Sequence, residues 1–171
     1  MTKSSAANAP ESAGPASGDF TTGRFAIRAD ILSVPTDERF ELIDVTDRIA
    51  RIVMASGVRE GVVSVWSMHT TFAAFINESQ PALHVDIKRL LEQIVDRDAD
   101  WRHNNPEHSD CDRSNADAHL RAMLLGHSLS VQVSAAALVL GQWQRVIVAE
   151  LDGPRTRTLR VQVMGLADEP R

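Results

Sequence analysis

Three histidines have the surroundings that imidazole chemistry needs. His69 directly follows an apolar, β-branched stretch, His103 sits in a long polar segment, and His119 lies on a short helical stretch. Neutral imidazoles are common zinc ligands, and three protein ligands plus water form a usual catalytic zinc site. An imidazole also suits proton transfer near neutral pH. The spacing matches no local metal motif, such as two histidines one helical turn apart. Spacing alone therefore leaves three unrelated, partly exposed histidines as the plainer alternative.

Acids and amides cluster near the same places. Asn77 and Glu78 end the strand that follows His69, and Asp86 lies near the start of the next helix. Asp110, Asp112, Asn115 and Asp117 crowd the approach to His119. Such groups are usually solvated, yet they equally suit a hard-cation site or a proton-transfer pair. Asp117 also suits a helix N-terminus, where the macrodipole favours a carboxylate.

A third cluster is Glu150, Asp152, Gly153, Pro154, Arg155 and Arg157. Asp-Gly-Pro reads as a turn in which glycine supplies unusual backbone angles. Arg155 and Arg157 would then be exposed at a hairpin corner, or would act as forked donors to a phosphate or carboxylate. Cys111 has no histidine base at a recognisable spacing and reads as an ordinary thiol. Trp66, Trp101 and Trp143 read as packing residues.

These groups need a scaffold, and the periodicities outline one. Phe25, Ile27, Ala29 and Ile31 alternate with Arg28 and Asp30, which predicts a half-buried strand with the odd-numbered residues inward. A short strand is expected at Phe40 to Ile43. Asp44 or Thr46 then caps a helix bearing Ile49, Ile52 and Val53, which Gly57 stops. Strands follow at Gly61 to Met68 and Phe72 to Asn77. Leu83, Ile87, Leu90, Leu91 and Ile94 recur at helical spacing after Pro81. Asp96 to Asn115 is polar and aperiodic, and loops of that length are usually functional or disordered. A brief helix at Ala116 to Leu125 ends at Gly126. Strands at Leu129 to Val133, Arg145 to Leu151 and Leu159 to Val163 complete the chain. Helices between strand pairs, without strict βαβ alternation, predict an α+β fold with a mostly antiparallel or mixed sheet and two to three helices.

At 171 residues with 43% hydrophobic and 24% charged side chains, one domain with a sizeable core is expected. Residues 1–19, rich in Ala, Ser, Pro and Gly, read as a disordered tail ahead of a single domain over 20–171. One cysteine excludes an internal disulfide framework and fits a reducing compartment. No apolar run reaches the roughly 20 residues that cross a bilayer, and no secretory signal pattern is present. A cytoplasmic protein with no membrane association follows. The formal net charge of −5 argues against nucleic acid as a partner. The local basic group Arg155, Arg157 and Arg160 suits a small anion better than a polyanion.

Taken in order, the motifs carry a resemblance. They run from His69-Thr70-Thr71 through Ile76-Asn77-Glu78, Asp86 and Arg102-His103-Asn104. Asn115-Ala116-Asp117-Ala118-His119-Leu120, Leu124-Leu125-Gly126, Leu140-Gly141 and Trp143-Gln144 come next. Glu150-Leu151-Asp152-Gly153-Pro154-Arg155 and Arg157 close the series. From about Arg24 to Gly165 the chain resembles the YjbQ-like family. The resemblance implies a compact α+β fold and a homotrimer with polar sites near the subunit contacts. It also implies a secondary thiamine-phosphate synthase activity, joining a pyrimidine diphosphate to a thiazole phosphate with loss of pyrophosphate.

On that basis His69, Glu78, Asp86 and Asn115 are expected to be catalytic, and Asn77, Asp152, Arg155 and Arg157 to bind a small phosphorylated metabolite. His69, His103 and His119 are expected to hold a divalent metal ion, zinc or magnesium. His69 stays open between ligand and general base. The chain departs from the family pattern at Phe72, where a small residue is usual, at Gln142 and at Trp101. A bulky Phe72 is expected to reshape the pocket. A non-catalytic metal- or metabolite-binding trimer would use the same residues, and a purely structural oligomer would need none of them as ligands.

Overall fold

A computed structural model describes residues 21–167. The expected tail at 1–19 lies outside the described residues. The described chain folds as one α+β domain with three α-helices and two antiparallel sheets. No described helix is long and apolar enough to cross a membrane.

In chain order the elements are β1 (Arg24–Pro35), β2 (Glu41–Asp44), α1 (Thr46–Ser56), β3 (Val58–Ser67) and β4 (Phe72–Asn77). Then come α2 (Pro81–Ile94), a 3-10 turn (Arg102–Asn104) and α3 (Ala116–Leu125). The last are β5 (Ser128–Ser134), β6 (Ala137–Leu138), β7 (Arg145–Glu150) and β8 (Thr156–Ala167). The large sheet runs β1-β8-β3-β5-β6 and the small one β2-β7-β4.

Strand β7 explains the layering. Val146 and Val148 point into a core shared with the large sheet and α1, where they meet Val63, Val65, Val161 and Ile49. Ile147 and Ala149 point the other way and meet Ala118 and Ala122 of α3. A strand buried on both faces reads as an unbroken apolar run, as Val146 to Ala149 does. Burial on this scale, at about 25 cal/mol per Å² of apolar surface, is the main driving force for the fold.

Local signals set several ends. Gly57 closes α1 in the left-handed region at φ 74°, which L-residues with side chains adopt at a cost. Val45, not Asp44 or Thr46, is the N-cap residue of α1. Asp44 still serves the helix start, because its Oδ1 accepts the Thr46 amide at 2.9 Å. At α2, Gln80 is the N-cap and its side chain accepts from the Leu83 amide at 2.8 Å. Only Leu91 of the predicted α2 stripe is fully buried, while Leu90 and Ile94 are exposed.

Strand β1 is turned over relative to expectation. Phe25, Ile27 and Ile31 are 61%, 61% and 58% exposed, whereas Leu32 and Val34 are in the core. The cause is register: Leu32 pairs with Leu159 and Asp30 with Val161. Directly paired residues share a face, so the buried odd residues of β8 force the even residues of β1 inward. Trp66 and Trp143 are likewise exposed rather than packed. Phe25, Ile27, Ile31 and Trp66 therefore leave the outer face of the large sheet strongly apolar.

Candidate functional site

Three turns converge at one end of the small sheet. The β3–β4 turn carries His69 and Thr71, the β7–β8 turn carries Asp152 and Arg155, and the approach to α3 carries Arg113 and Asn115. They enclose a cleft of about 420 Å³. A second, more apolar cavity of about 320 Å³ lies alongside, walled by Trp101, Ala116 and Leu120. His103 and His119 line both.

Buried ion pairs organise the cleft. Glu150 is fully buried and binds Arg157 through two guanidinium nitrogens. Its Oε1 also accepts the amides of Leu151 and Asp152 at 2.9 and 2.8 Å. Arg157, 2% exposed, spends a further bond on Thr71 Oγ1 at 2.9 Å. Asp152 accepts from Arg39 at 3.1 Å, Arg155 at 3.1 Å and Asn115 at 2.9 Å, with Arg113 Nε at 3.3 Å. Asp117 meets Arg39 and Arg121, each at 3.2 Å. In this network five guanidinium groups face three carboxylates. Three of the five, Arg113, Arg155 and Arg157, line this cleft, and Arg39 and Arg121 line a separate cavity, on a chain whose net charge is −5.

The expected site residues divide accordingly. His69, His103, His119, Asn115, Asp152, Arg155 and Arg157 all line the cleft. Asp152 and Arg157 do so as buried partners of other side chains, and Arg155, 30% exposed, is the freer arginine. Asn77, Glu78 and Asp86 are exposed and do not line it. Asn77 ends β4, about 17 Å along the strand from Phe72 at ~3.3 Å per residue. Phe72 is fully buried, with its ring edge-on to His69 and beneath the Arg157 guanidinium. It supports the cleft floor instead of occupying the cleft. Arg160 points to the outer sheet face and is not part of a patch with Arg155 and Arg157.

Gly153 corrects the reason given for the turn. It does not have a positive φ. A Cβ there would lie 2.6 Å from the Glu38 carbonyl oxygen and 2.7 Å from Glu150 Cγ, so close approach of the chain requires glycine. Arg39, Arg113 and Arg121 had no place in the sequence reading. The i, i+4 spacing of Asp117 and Arg121 was a readable signal, whereas Arg39 and Arg113 pair across the fold and carry no local one.

The histidines occupy two settings. His69 Nε2 accepts the Thr158 amide at 2.9 Å and lies 2.9 Å from Thr158 Oγ1. That contact places the proton of the neutral ring on Nδ1. His103 and His119 stand edge to face with centroids 5.0 Å apart, and His103 Nε2 is buried with no hydrogen-bond partner among the described residues. The described residues contain no group of three or more His, Cys, Asp or Glu side chains arranged to hold a metal ion. The Nε2 lone pair of His69 is already committed.

Both settings disfavour the imidazolium. Burial lowers the pKa of His69 from 6.5, helped by Arg157 and Arg155 and opposed by Glu150. Burial also lowers that of His119, with His103 and His127 acting in the same direction and Asp152 and Asp117 against it. Between the lowered value and 6.5 the unfolded chain binds more protons, so these rings favour folding above 6.5 and that contribution is lost as pH falls below it. Replacing His119 by glutamine is expected to flatten this part of the stability profile. Urea midpoints measured from pH 7.5 to 5 would show it, and an unchanged slope would refute it.

A family profile described as UPF0047 protein YjbQ-like matches residues 30–166. A UPF0047 protein of Methanothermobacter thermautotrophicus is 45% identical over 134 residues, 78% of this chain and 90% of its own length. The UPF0047 protein YugU of Bacillus subtilis is 32% identical over 135 residues, 78% of this chain and 97% of the relative. Among solved structures, a YbjQ-like protein from Sulfolobus solfataricus superposes with a TM-score of 0.77 at 34% identity, covering 83% of this chain and 99% of that one. With a match that spans both sheets and every turn of the cleft, this chain belongs to the YjbQ-like UPF0047 family.

Proposed function

We propose that the chain is a cytoplasmic enzyme acting on a small phosphorylated substrate, joining a pyrimidine diphosphate to a thiazole phosphate with loss of pyrophosphate. The observation that carries this reading is a cleft lined by three arginines, Arg113, Arg155 and Arg157, against the carboxylates of Asp152 and Glu150, beside histidines whose pKa is lowered. The reaction class is the one attributed to some members of the family that the motifs resemble. As the bond to the diphosphate breaks, its electron pair moves onto the departing oxygen. Preorganised donors are worth most where such charge develops. Arg155 supplies guanidinium N–H groups there, and His69 an N–H from Nδ1. The thiazole ring nitrogen supplies the electron pair of the new carbon–nitrogen bond as the carbon–oxygen bond breaks. It carries no proton, so the step needs no base, and His119, held neutral, lines the cleft without adding charge.

We also propose that two further copies of the chain cover the apolar outer sheet face, giving a homotrimer. Trp66 on that face is two residues from Met68, which lines the cleft, so assembly would bury the face and wall the cleft together. Asn77, Glu78 and Asp86 would reach a site only from a neighbouring subunit. Sedimentation at micromolar concentration is expected to give a trimer, and Ile27→Asp a smaller species. A monomeric wild-type protein would remove this part of the proposal. The activity is tested by incubating the full chain with both phosphorylated compounds and measuring pyrophosphate release. Tight binding of both without release would leave a metabolite-binding protein in its place.

A further inference from the structure

Arg113 stands apart from the other arginines of the cleft. Its side chain is 52% exposed, and Nε lies 3.3 Å from Asp152 Oδ2 in an ion pair that lacks hydrogen-bond geometry. The same oxygen already accepts from Asn115 Nδ2 at 2.9 Å and Arg155 Nη2 at 3.1 Å. A carboxylate oxygen offers about two lone-pair directions, so Arg113 is the third and worst-placed donor. Its two terminal nitrogens have no partner among the described residues. Removing it leaves Asp152 held by Arg39, Arg155 and Asn115.

We infer that Arg113 is an anion-binding arm of the cleft, which exchanges Asp152 for the phosphate of a bound ligand beside Arg155. This rests on the reading of the cleft as a phosphorylated-substrate site and adds a residue to it. The exchange costs little, because the contact given up is a half-exposed pair, and such pairs contribute little. The new contact is a forked, charge-assisted one. Two guanidinium groups brought from different turns to one carboxylate oxygen suit a phosphate, with three terminal oxygens, better than a carboxylate with two. Arg157 cannot take this role while Glu150 and Thr71 hold it.

Calorimetry of the full chain with inorganic pyrophosphate at low salt tests the inference. Wild-type protein is expected to bind pyrophosphate, and Arg113→Ala to bind it about tenfold more weakly or worse with an unchanged melting temperature. Arg113→Lys is expected to fall between the two. Arg97→Ala, which removes an exposed charge beside a different cavity, is expected to leave affinity unchanged. Binding by the wild type with no loss in Arg113→Ala, or an equal loss in Arg97→Ala, would overturn the arm and leave the anion reading of the cleft standing. No pyrophosphate binding by the wild type would overturn both.

Discussion

Replacing Glu150 by alanine is expected to cost the domain about 3–5 kcal/mol, because it leaves the Arg157 guanidinium buried without its counter-charge. Arg157 is 2% exposed and its remaining partner is a single hydroxyl on Thr71. The amides of Leu151 and Asp152 lose their shared acceptor as well. For a domain of this size the melting temperature should fall by on the order of 10 °C. Removing Arg157 together with Glu150, as Glu150→Leu with Arg157→Met, is expected to destabilise less than Glu150→Ala alone, since a pair replaced by apolar groups leaves no orphaned charge. The exposed Lys88–Glu38 pair provides the contrast: Glu38→Ala should cost less than about 1 kcal/mol. Chemical denaturation of the three variants decides the matter. A Glu150→Ala loss no larger than that of Glu38→Ala would show that the pair is not what holds the β7–β8 turn.

How much of this was readable in the chain depends on the range of the interaction that fixed each feature. The alternation of Leu159, Val161 and Val163 against Arg160 gave the inward face of β8 correctly, because only one of its faces is apolar. Helix α3 falls at Ala116–Leu125, where the pattern placed it. Strand β1 failed for the converse reason. Phe25, Ile27 and Ile31 on one face compete with Leu32 and Val34 on the other, and a one-residue slip exchanges the faces. Its pairing partner, more than a hundred residues away, settles the choice. The two-residue strand β6 is too short to show a period. The cleft followed the same rule. Histidines and the Asp-Gly-Pro turn announce themselves by residue type, and folding gathers them. Arg39 and Arg113 acquire meaning only through Asp152, which nothing in the nearby sequence indicates. Asn77, Glu78 and Asp86 share motif order with the cleft residues, yet β4 carries Asn77 away from His69, since order along a chain does not say which end of a strand a residue occupies.

Loss of the Arg155 side chain is expected to lower the rate of pyrophosphate release about 10²–10³-fold, the usual cost of removing one donor that meets charge developing in the transition state. The fold should survive, since Arg155 is part-exposed on a turn and spends one guanidinium N–H on Asp152. Its backbone, not its side chain, holds Thr36 through bonds of 2.8 and 2.9 Å, and alanine keeps both. The loss should appear in kcat more than in KM. Negative charge on the departing pyrophosphate grows as the bond breaks, so the guanidinium interacts more strongly with the transition state than with bound substrate. Lysine at this position should recover part of the rate, because a point charge remains while the fork is lost. Steady-state release measured on wild type, Arg155→Ala and Arg155→Lys, each with its melting temperature, separates the alternatives. A variant that turns over at the wild-type rate would remove Arg155 from the chemistry. One that changes only KM would make it a uniform binder of the phosphate, present before the bond begins to break and no more use after.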